Sequence, residues 1–203
     1  MGEYFCINSI VKREDLSTNL ILLFHKISDK TTLFDVSGYS MISEYSNLEY
    51  EKLYDPKVDE FSATNISVEE LIELISENIF SEITIHSKSW FTDVRLILGI
   101  HEDNSIYLSV IFEDEPFRES LKENRENFIL ELCTLLYNSI PCKYGNGGVE
   151  SQTLDDSSLE WQQEYFTDAL YFLPNGVSLN FNKSQYKVLE LKRGLLFIDE
   201  SQI

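Results

Sequence analysis

Two adjacent runs decide the fold of this chain: Arg95-Leu96-Ile97-Leu98-Gly99-Ile100 and Ile106-Tyr107-Leu108-Ser109-Val110-Ile111-Phe112. Both runs are rich in β-branched and large apolar residues, which favour strands. Between them lies Glu102-Asp103-Asn104, a short polar stretch typical of a hairpin turn. The preceding segment, Glu82-Ile83-Thr84-Ile85-His86, alternates polar and apolar residues and predicts a further strand. The centre of the sequence therefore predicts an antiparallel sheet.

Strands are also expected at both ends of the chain. One is predicted near residues 4–10, whereas periodicity leaves residues 16–27 open between helix and strand. Near the C-terminus, Pro174-Asn175-Gly176 and Arg193-Gly194 are turn signals between β-rich runs. The predicted C-terminal strands are residues 169–173, 177–181, 186–190 and 195–198.

The first of two predicted helices begins at Ser67. The Ser67 hydroxyl can cap the helix while Glu70, three residues later, reaches back to the Ser67 backbone amide. The apolar residues that follow recur at helical spacing and form one stripe, which is expected to be buried. They are Val68, Leu71, Ile72, Leu74, Ile75 and Ile79.

A second, longer helix is predicted from about Pro116, a residue suited to a first helical turn, to about Asn138. Cys133 lies within it and is interpreted as a small buried apolar side chain. The apolar residues at helical spacing are Leu121, Phe128, Leu132, Leu135 and Leu136.

These elements predict an α+β fold: one domain spanning residues 1–203, with a mainly antiparallel sheet packed against two or more helices. The polar segments 44–64 and 144–163 are expected to be surface loops. The second contains Tyr144-Gly145-Asn146-Gly147-Gly148-Val149, which follows a helix and lacks the Gly-Lys-Ser/Thr ending of a phosphate-binding loop. We therefore interpret this glycine-rich stretch as a turn that is structural or faces a partner.

The composition excludes several broad classes of protein. Of the 203 residues 43% are hydrophobic, enough for a packed core, and the formal net charge is −19. No apolar run approaches the roughly 20 residues that span a membrane, and the N-terminus lacks the pattern of a secretory signal. Direct binding to nucleic acid is disfavoured, because phosphate contacts need clustered Lys and Arg. The sequence therefore indicates a cytoplasmic protein without a membrane segment.

No motif in the sequence points to a cofactor, a metal centre or a catalytic site. The three cysteines, Cys6, Cys133 and Cys142, form no CxxC pair, and their odd number argues against a disulfide framework. The three histidines are widely separated and belong to no metal-binding motif. Cys142 follows Pro141 but lies outside any nucleophile motif. We therefore expect a protein that is not an enzyme and that holds no cofactor and no metal.

The charged residues are unevenly distributed along the chain. From residue 44 to residue 82 there are eleven acidic residues and two lysines, and residues 144–182 contain no Lys or Arg. Aromatic residues are interleaved with both regions. Such a surface suits a basic protein partner, because charge steers the encounter and desolvated rings supply affinity. The predicted partner-binding residues are Tyr144, Glu150, Asp155, Asp156, Glu160, Trp161 and Glu164, with Tyr50 and Tyr54 as a second patch.

The order of these features resembles that of bacterial immunity proteins, the cytoplasmic antidotes to polymorphic or contact-dependent toxins. The resemblance covers residues 67–200: a capped helix, a hairpin preceded by Trp90, an acidic helix, then Tyr137, Ile140-Pro141, Tyr144-Gly145 and C-terminal strands. It implies a non-catalytic protein that binds one cognate toxin and blocks its active site or substrate path. A basic toxin domain that attacks nucleic acid would complement the acidic chain.

Alternatives to this hypothesis stay open. A phage or mobile-element inhibitor that mimics DNA and occupies a host nuclease or defence protein would carry carboxylates spaced like phosphates along one face. An enzyme of unrecognised type would need a pocket with convergent polar groups and perturbed pKa values. For Trp161, a place in the core is as good an interpretation as a place in the interface. The sequence does not indicate the oligomeric state.

Overall fold

The hairpin predicted from the centre of the sequence lies in the middle of a large antiparallel sheet. A computed structural model describes residues 4–28, 32–41, 58–76, 78–101, 105–117, 122–149, 168–177 and 185–203. Within these residues ten strands pair side by side in one sheet, and three α-helices accompany them. The predicted α+β fold, with an antiparallel sheet covered by helices, is confirmed.

The elements follow one another along the chain as β1 (Tyr4–Lys12), α1 (Arg13–Ile27), β2 (Leu33–Met41), β3 (Val58–Ala63), α2 (Val68–Ser76), β4 (Asn78–His86), β5 (Val94–His101), β6 (Ser105–Glu113), α3 (Lys122–Ser139), β7 (Cys142–Val149), β8 (Leu170–Pro174), β9 (Lys187–Leu191) and β10 (Gly194–Ile198). In the sheet the strands lie in the order β3-β2-β4-β5-β6-β1-β7-β8-β10-β9. β3 and β9 are therefore the edge strands of the described sheet. None of the described helices is both long enough and apolar enough to span a membrane.

The central hairpin of β5 and β6 pairs in an unbroken register. β5 and β6 are aligned from Val94 opposite Phe112 to His101 opposite Ser105. Their predicted turn, residues 102–104, lies outside the described residues. β1 lies between β6 and β7 and pairs with both, so the N-terminal strand is held on two sides. The strand predictions at residues 4–10, 82–86, 95–100 and 106–112 are confirmed.

All three helices pack on one face of the sheet. Directly paired residues of antiparallel strands point to the same side, so Leu96 and Val110 belong to one face, and both are buried. Leu23 of α1 and Leu132 of α3 meet this face around a small apolar cavity of about 20 Å³. Leu71 of α2 belongs to the same core. We call the opposite side, where no described helix lies, the helix-free face.

The helix-free face differs between its two ends. At β8 and β10 it carries a small buried cluster of Tyr171, Leu173, Tyr186 and Phe197. Near the centre it carries buried polar side chains: Ser109 Oγ donates a hydrogen bond of 2.7 Å to Asn8 Oδ1. The end formed by β3, β2, β4 and β5 is the polar end.

Residues 16–27, which periodicity left open, form most of helix α1. Leu16, Leu20 and Phe24 are four residues apart and all buried, as expected for one face of a helix. Ile21 and Leu22, at 36% and 50% exposure, lie outside this buried stripe. These two exposed apolar residues interrupt the pattern that would otherwise have identified the helix from sequence.

The predicted capping box at the start of α2 is confirmed. The amide and the hydroxyl of Ser67 each donate to Glu70 Oε2 at 2.9 Å, and the Glu70 amide donates to Ser67 Oγ at 3.3 Å. The hydrogen bond from the Ser67 amide, aided by that from its hydroxyl, lowers the pKa of Glu70. α2 ends at Ser76, however, and Ile79 lies in β4. The helical stripe was extended too far because β4 begins just two residues after α2 ends.

α3 spans Lys122–Ser139, while residues 118–121, which lie inside the predicted helix, are outside the described residues. Glu115–Phe117 forms a separate 3₁₀ turn. The ring of Phe117 is buried, with its centroid 5.9 Å from that of Phe112 and 5.3 Å from that of Phe128. The prediction that Cys133 is buried inside this helix is confirmed.

Two segments predicted as surface loops contain strands. Residues 58–63 of the predicted loop 44–64 form β3, and β7 takes up the start of the predicted loop 144–163. A Cβ on Gly147 would lie only 2.6 Å from the Cys6 backbone oxygen and 2.9 Å from Leu170. The glycines of β7 therefore permit close packing inside the sheet, and the interpretation of residues 144–149 as a turn is wrong. Residues 44–57 and 150–163 lie outside the described residues.

Candidate functional site

The polar end of the helix-free face carries a group of carboxylates. Strand pairing places Asp35 and Glu82 on this side of β2 and β4, and Glu60 on the same side of β3. Asp93, just before β5, reaches this side through a contact with His86. We call Asp35, Glu60, Glu82 and Asp93 the acidic face.

A concavity of about 420 Å³ opens on the acidic face between β3, β2 and β4. Two of the carboxylates, Glu60 and Glu82, line it together with the ring of Phe80. The other lining residues are Ser37, Gly38, Phe61 and Ser62. Carboxylates beside an aromatic ring can receive a cationic side chain through an ion pair and a cation–π contact. The concavity therefore suits a lysine or arginine of a partner.

His86 is held between two carboxylates of the acidic face. Its Nε2 lies 3.1 Å from Asp35 Oδ2, and its Nδ1 lies 2.9 Å from Asp93 Oδ2. Partial burial by itself would lower the pKa of His86, but the hydrogen bonds and the attraction to Asp93 and Asp35 together raise it above its usual value. With both nitrogens facing carboxylates, the charged ring has no lone pair for accepting a proton. His86 thus links two carboxylates of the acidic face that are far apart in the chain.

Arg95 brings a positive charge to the same surface. Its Nη1 lies 3.5 Å from Glu82 Oε1, and its guanidinium lies 5.0 Å above the centre of the Tyr4 ring. The side chains of Arg95 and Glu82 are about one-third exposed, at 37% and 32%, so solvent weakens the pair. Four carboxylates against Arg95 and His86 leave this surface with an excess of negative charge. Arg95 is thus an example, on this same surface, of a cation bound by a carboxylate and an aromatic ring.

The turn between β4 and β5 exposes an aromatic ring close in sequence to Asp93. Phe91 is 56% exposed, and its ring packs on Phe117 with the centroids 5.3 Å apart. The neighbouring Trp90 is fixed by its Nε1, which donates to Glu131 Oε1 at 3.1 Å. Because Phe117 also packs on Phe112 and on Phe128 of α3, the Phe91 ring lies on the helix-covered side of the sheet and not on the acidic face.

The sequence did not predict the acidic face. Trp90 served only as a landmark, and Phe91, Asp35 and Asp93 were not singled out. Phe91 could have been noticed in the sequence, because it is an aromatic residue in the polar segment that follows a predicted strand. The partnership of Asp35 with His86 has no sequence signal, because the two residues are 51 positions apart.

One of the predicted partner-binding residues, Tyr144, lies within the described part of the chain. It is in β7 and only 3% exposed, so its side chain is not presented to a partner in this structure. The expectation of a surface role for Tyr144 is therefore corrected, and the reason is that β7 is an interior strand. The remaining predicted residues lie outside the described residues: Glu150, Asp155, Asp156, Glu160, Trp161, Glu164, Tyr50 and Tyr54.

Two of the three thiols, those of Cys133 and Cys142, are deeply buried. Burial raises the pKa of Cys142 to about 12, and its Sγ donates a hydrogen bond of 3.3 Å to the backbone oxygen of Ile140. Burial also raises the pKa of Cys133 far above the usual range. A thiol must ionise to attack a substrate, so burial disfavours the reactive form of both groups at neutral pH.

Within the described residues, no group of three or more His, Cys, Asp or Glu side chains is arranged to hold a metal ion. Comparison with protein-family models, with curated proteins and with solved structures gives no match for this chain.

Proposed function

We propose that this protein is an immunity or antitoxin protein, which neutralises a basic toxin domain by binding it directly. The observation that carries the proposal is the acidic face, two of whose carboxylates, Glu60 and Glu82, line a concavity between β3, β2 and β4. The chain segment that forms β3, α2 and β4 contains no Lys or Arg, since none occurs between Lys57 and Lys88. The resemblance of residues 67–200 to bacterial immunity proteins points to the same function.

Electrostatics explains how such a surface would select its partner. Toxin domains that attack nucleic acid carry basic surfaces, and a net charge of −19 attracts them over distances longer than a direct contact. Charge of this kind speeds association, whereas affinity comes from desolvated contacts at the centre of the interface. Phe80, which lines the concavity beside Glu60 and Glu82, is suited to supply one such contact.

The chemistry of the described residues also favours binding over catalysis. His86 has both nitrogens engaged by carboxylates, and the thiols of Cys133 and Cys142 are buried and protonated. These are the described groups that a catalytic mechanism would most readily use, and each has a structural role instead.

The test is binding to the product of the neighbouring gene. We expect the two proteins to co-purify, and we expect the association rate, measured by stopped flow, to fall steeply as salt is raised. Expression of the chain should also restore growth to cells that produce this neighbouring protein. Absence of both complex formation and protection would overturn the proposal, and an association rate unaffected by salt would overturn the electrostatic part.

A pair of matched variants locates the surface. Glu60→Lys changes a residue of the acidic face, and Glu190→Lys changes an exposed residue of β9 at the far edge of the same sheet. Both raise the net charge by the same amount, so a general charge effect predicts equal losses. We expect Glu60→Lys to weaken binding roughly tenfold or more and Glu190→Lys to have less than about a threefold effect.

A further inference from the structure

The edge strand β3 offers backbone groups as well as charge. β3 pairs with β2 along its whole length, from Ala63 opposite Val36 to Val58 opposite Met41. Among the described residues no strand pairs with the other side of β3. In an edge strand, every second residue directs its amide and carbonyl groups outward, where another extended chain can pair with them.

The two sides of β3 differ in the side chains that they would present to an added strand. Glu60 and Ser62 are exposed and face the concavity on the acidic face. Phe61 and Ala63 point to the opposite side, where both are half-buried against the edge of the core. Because cross-strand neighbours pack side by side, an added strand would place cationic residues next to Glu60 and apolar residues next to Phe61.

The two edges of the sheet also differ in how they resist pairing. Natural edge strands are often blocked by a lysine, a proline or a short length. β9 begins with Lys187, whose Nζ is held 2.9 Å from Glu200 Oε1 and 3.5 Å from Glu126 Oε1. β3 contains no lysine, arginine or proline, and its charged residues are Asp59 and Glu60. A basic strand would meet opposite charge at β3 and a fixed lysine at β9.

We propose that β3 is the docking edge for an extended basic segment of a protein partner, which pairs with β3 as an additional strand and directs alternate Lys or Arg residues toward Glu60 and the concavity. This inference rests on the proposed function, and it names the part of the partner and the mode of contact. Backbone pairing supplies the alignment of the segment, and the carboxylates of the acidic face select basic side chains at every second position.

The probe for this mode is a synthetic octapeptide of alternating Lys and Val, titrated into the full chain that carries an amide ¹⁵N label. The control is the same Lys-Val octapeptide with every backbone amide N-methylated, which has the same charge but has no amide hydrogen with which to pair with β3. With the Lys-Val peptide we expect saturable changes in amide chemical shift that are confined to β3 and the facing residues of β2 and β4. These changes should disappear in high salt. The control peptide should cause no such changes. Amides of β3 should also exchange more slowly with solvent in the presence of the Lys-Val peptide.

Variants of Glu60 complete the test. Glu60→Lys should weaken binding of the Lys-Val peptide roughly tenfold, Glu60→Gln should weaken it less, and Glu190→Lys should leave it nearly unchanged. Equal binding of the N-methylated peptide, shifts centred on β9, or no saturable shift at millimolar peptide would overturn the inference. If the neighbouring gene product binds but leaves exchange at β3 unchanged, the docking edge is wrong and the proposed function stands. If the peptide binds at β3 but the gene product does not associate, the docking edge stands and the proposed function fails.

Discussion

Tyr137 and Gly145 are packed directly against each other: a Cβ on Gly145 would lie 2.7 Å from two ring carbons of Tyr137 and would overlap its hydroxyl. Tyr137 is fully buried in α3, and its ring stacks on Phe172 with the centroids 4.2 Å apart. Its hydroxyl donates to the Asn8 backbone oxygen at 3.4 Å. One side chain thus joins α3 to β1, β7 and β8. The absence of a side chain at Gly145 makes this junction possible.

Gly145→Ala is expected to destabilise the protein. The new methyl group would displace the Tyr137 ring, and overpacking of this kind costs typically about 1–3 kcal/mol of unfolding free energy. Urea denaturation followed by far-UV circular dichroism measures the loss. Gly99→Ala is the control, because a Cβ there meets its nearest neighbours at 3.7 and 3.9 Å, an ordinary contact distance. Equal effects of the two substitutions would contradict the packing described for Tyr137.

Removal of the Asp114 charge is expected to be strongly destabilising. Arg125 Nε lies 2.6 Å from Asp114 Oδ1 and Arg125 Nη2 lies 3.0 Å from Asp114 Oδ2, with the side chains of the ion pair only 14% and 13% exposed. Asp114→Asn leaves the guanidinium largely buried without its counter-charge, at a cost of about 2–4 kcal/mol in unfolding free energy.

The control for this buried pair is Glu82→Gln, which breaks the more exposed ion pair of Arg95 with Glu82. It should lower the unfolding free energy by at most about 1 kcal/mol. Both variants are measured by urea denaturation at the same pH and salt concentration. A loss for Asp114→Asn no greater than that for Glu82→Gln would show that burial does not strengthen the Arg125 pair.

The link between His86 and its two carboxylates is expected to make stability depend on pH. The pKa of His86 is raised on folding, so the folded state binds the proton more tightly than the unfolded state. Its contribution to stability is therefore fully present below the unfolded pKa of about 6.5 and is lost as pH rises through the higher folded pKa. Because the ring is 36% exposed, the contribution should be less than about 1 kcal/mol.

The measurement is the difference in unfolding free energy between the natural chain and His86→Gln across the neutral range. We expect this difference to shrink as pH rises above the unfolded pKa, and Asp93→Asn should reduce the pH dependence by removing one of the two carboxylates. A difference that is constant with pH, or that grows as pH rises, would contradict the assignment of a raised pKa.

The thiols are expected to divide into accessible and protected groups. Cys133 and Cys142 are buried, whereas Cys6 is partly exposed. With a thiol-specific chromogenic reagent at about pH 8, at most one thiol should react quickly in the folded chain, and all three should react in concentrated guanidinium chloride. Rapid reaction of Cys142 in the folded protein would contradict its burial, and Cys142→Ser identifies the group that reacts.

Local sequence patterns predicted the strands whose own residues carry a clear β signal, wherever their partners lie in the chain; β1, for example, was predicted although it pairs with the distant β6 and β7. β5 and β6 follow one another and pair along their length, so composition and a turn signal were sufficient. β2 was missed although Phe34 and Val36 alternate with polar residues, because Gly38 interrupts the pattern. Gly38 is required there since a Cβ would meet the Phe80 backbone, a contact between strands that the sequence does not reveal.

The candidate site was less predictable than the fold. Acidic charge with aromatic anchors was predicted from composition, but Tyr144 proved to be buried, and the acidic face joins residues that are far apart in the chain. β2 pairs with β3, which follows it in the chain, and also with the more distant β4. The second pairing brings Asp35 of β2 next to His86 of β4. The charge excess is a property of composition, whereas its location depends on strand order.

The sequence by itself determined that this chain forms strands near its centre, caps a helix at Ser67 and carries a strong excess of carboxylates, because these properties depend on residues within a few positions of one another. Only the tertiary structure decided which strands lie at the edge, that β7 is interior and that Asp35, Glu60, Glu82 and Asp93 share one face. These outcomes depend on pairing between distant segments, where the fit of side chains such as Tyr137 against Gly145 selects one arrangement from several that the local pattern permits.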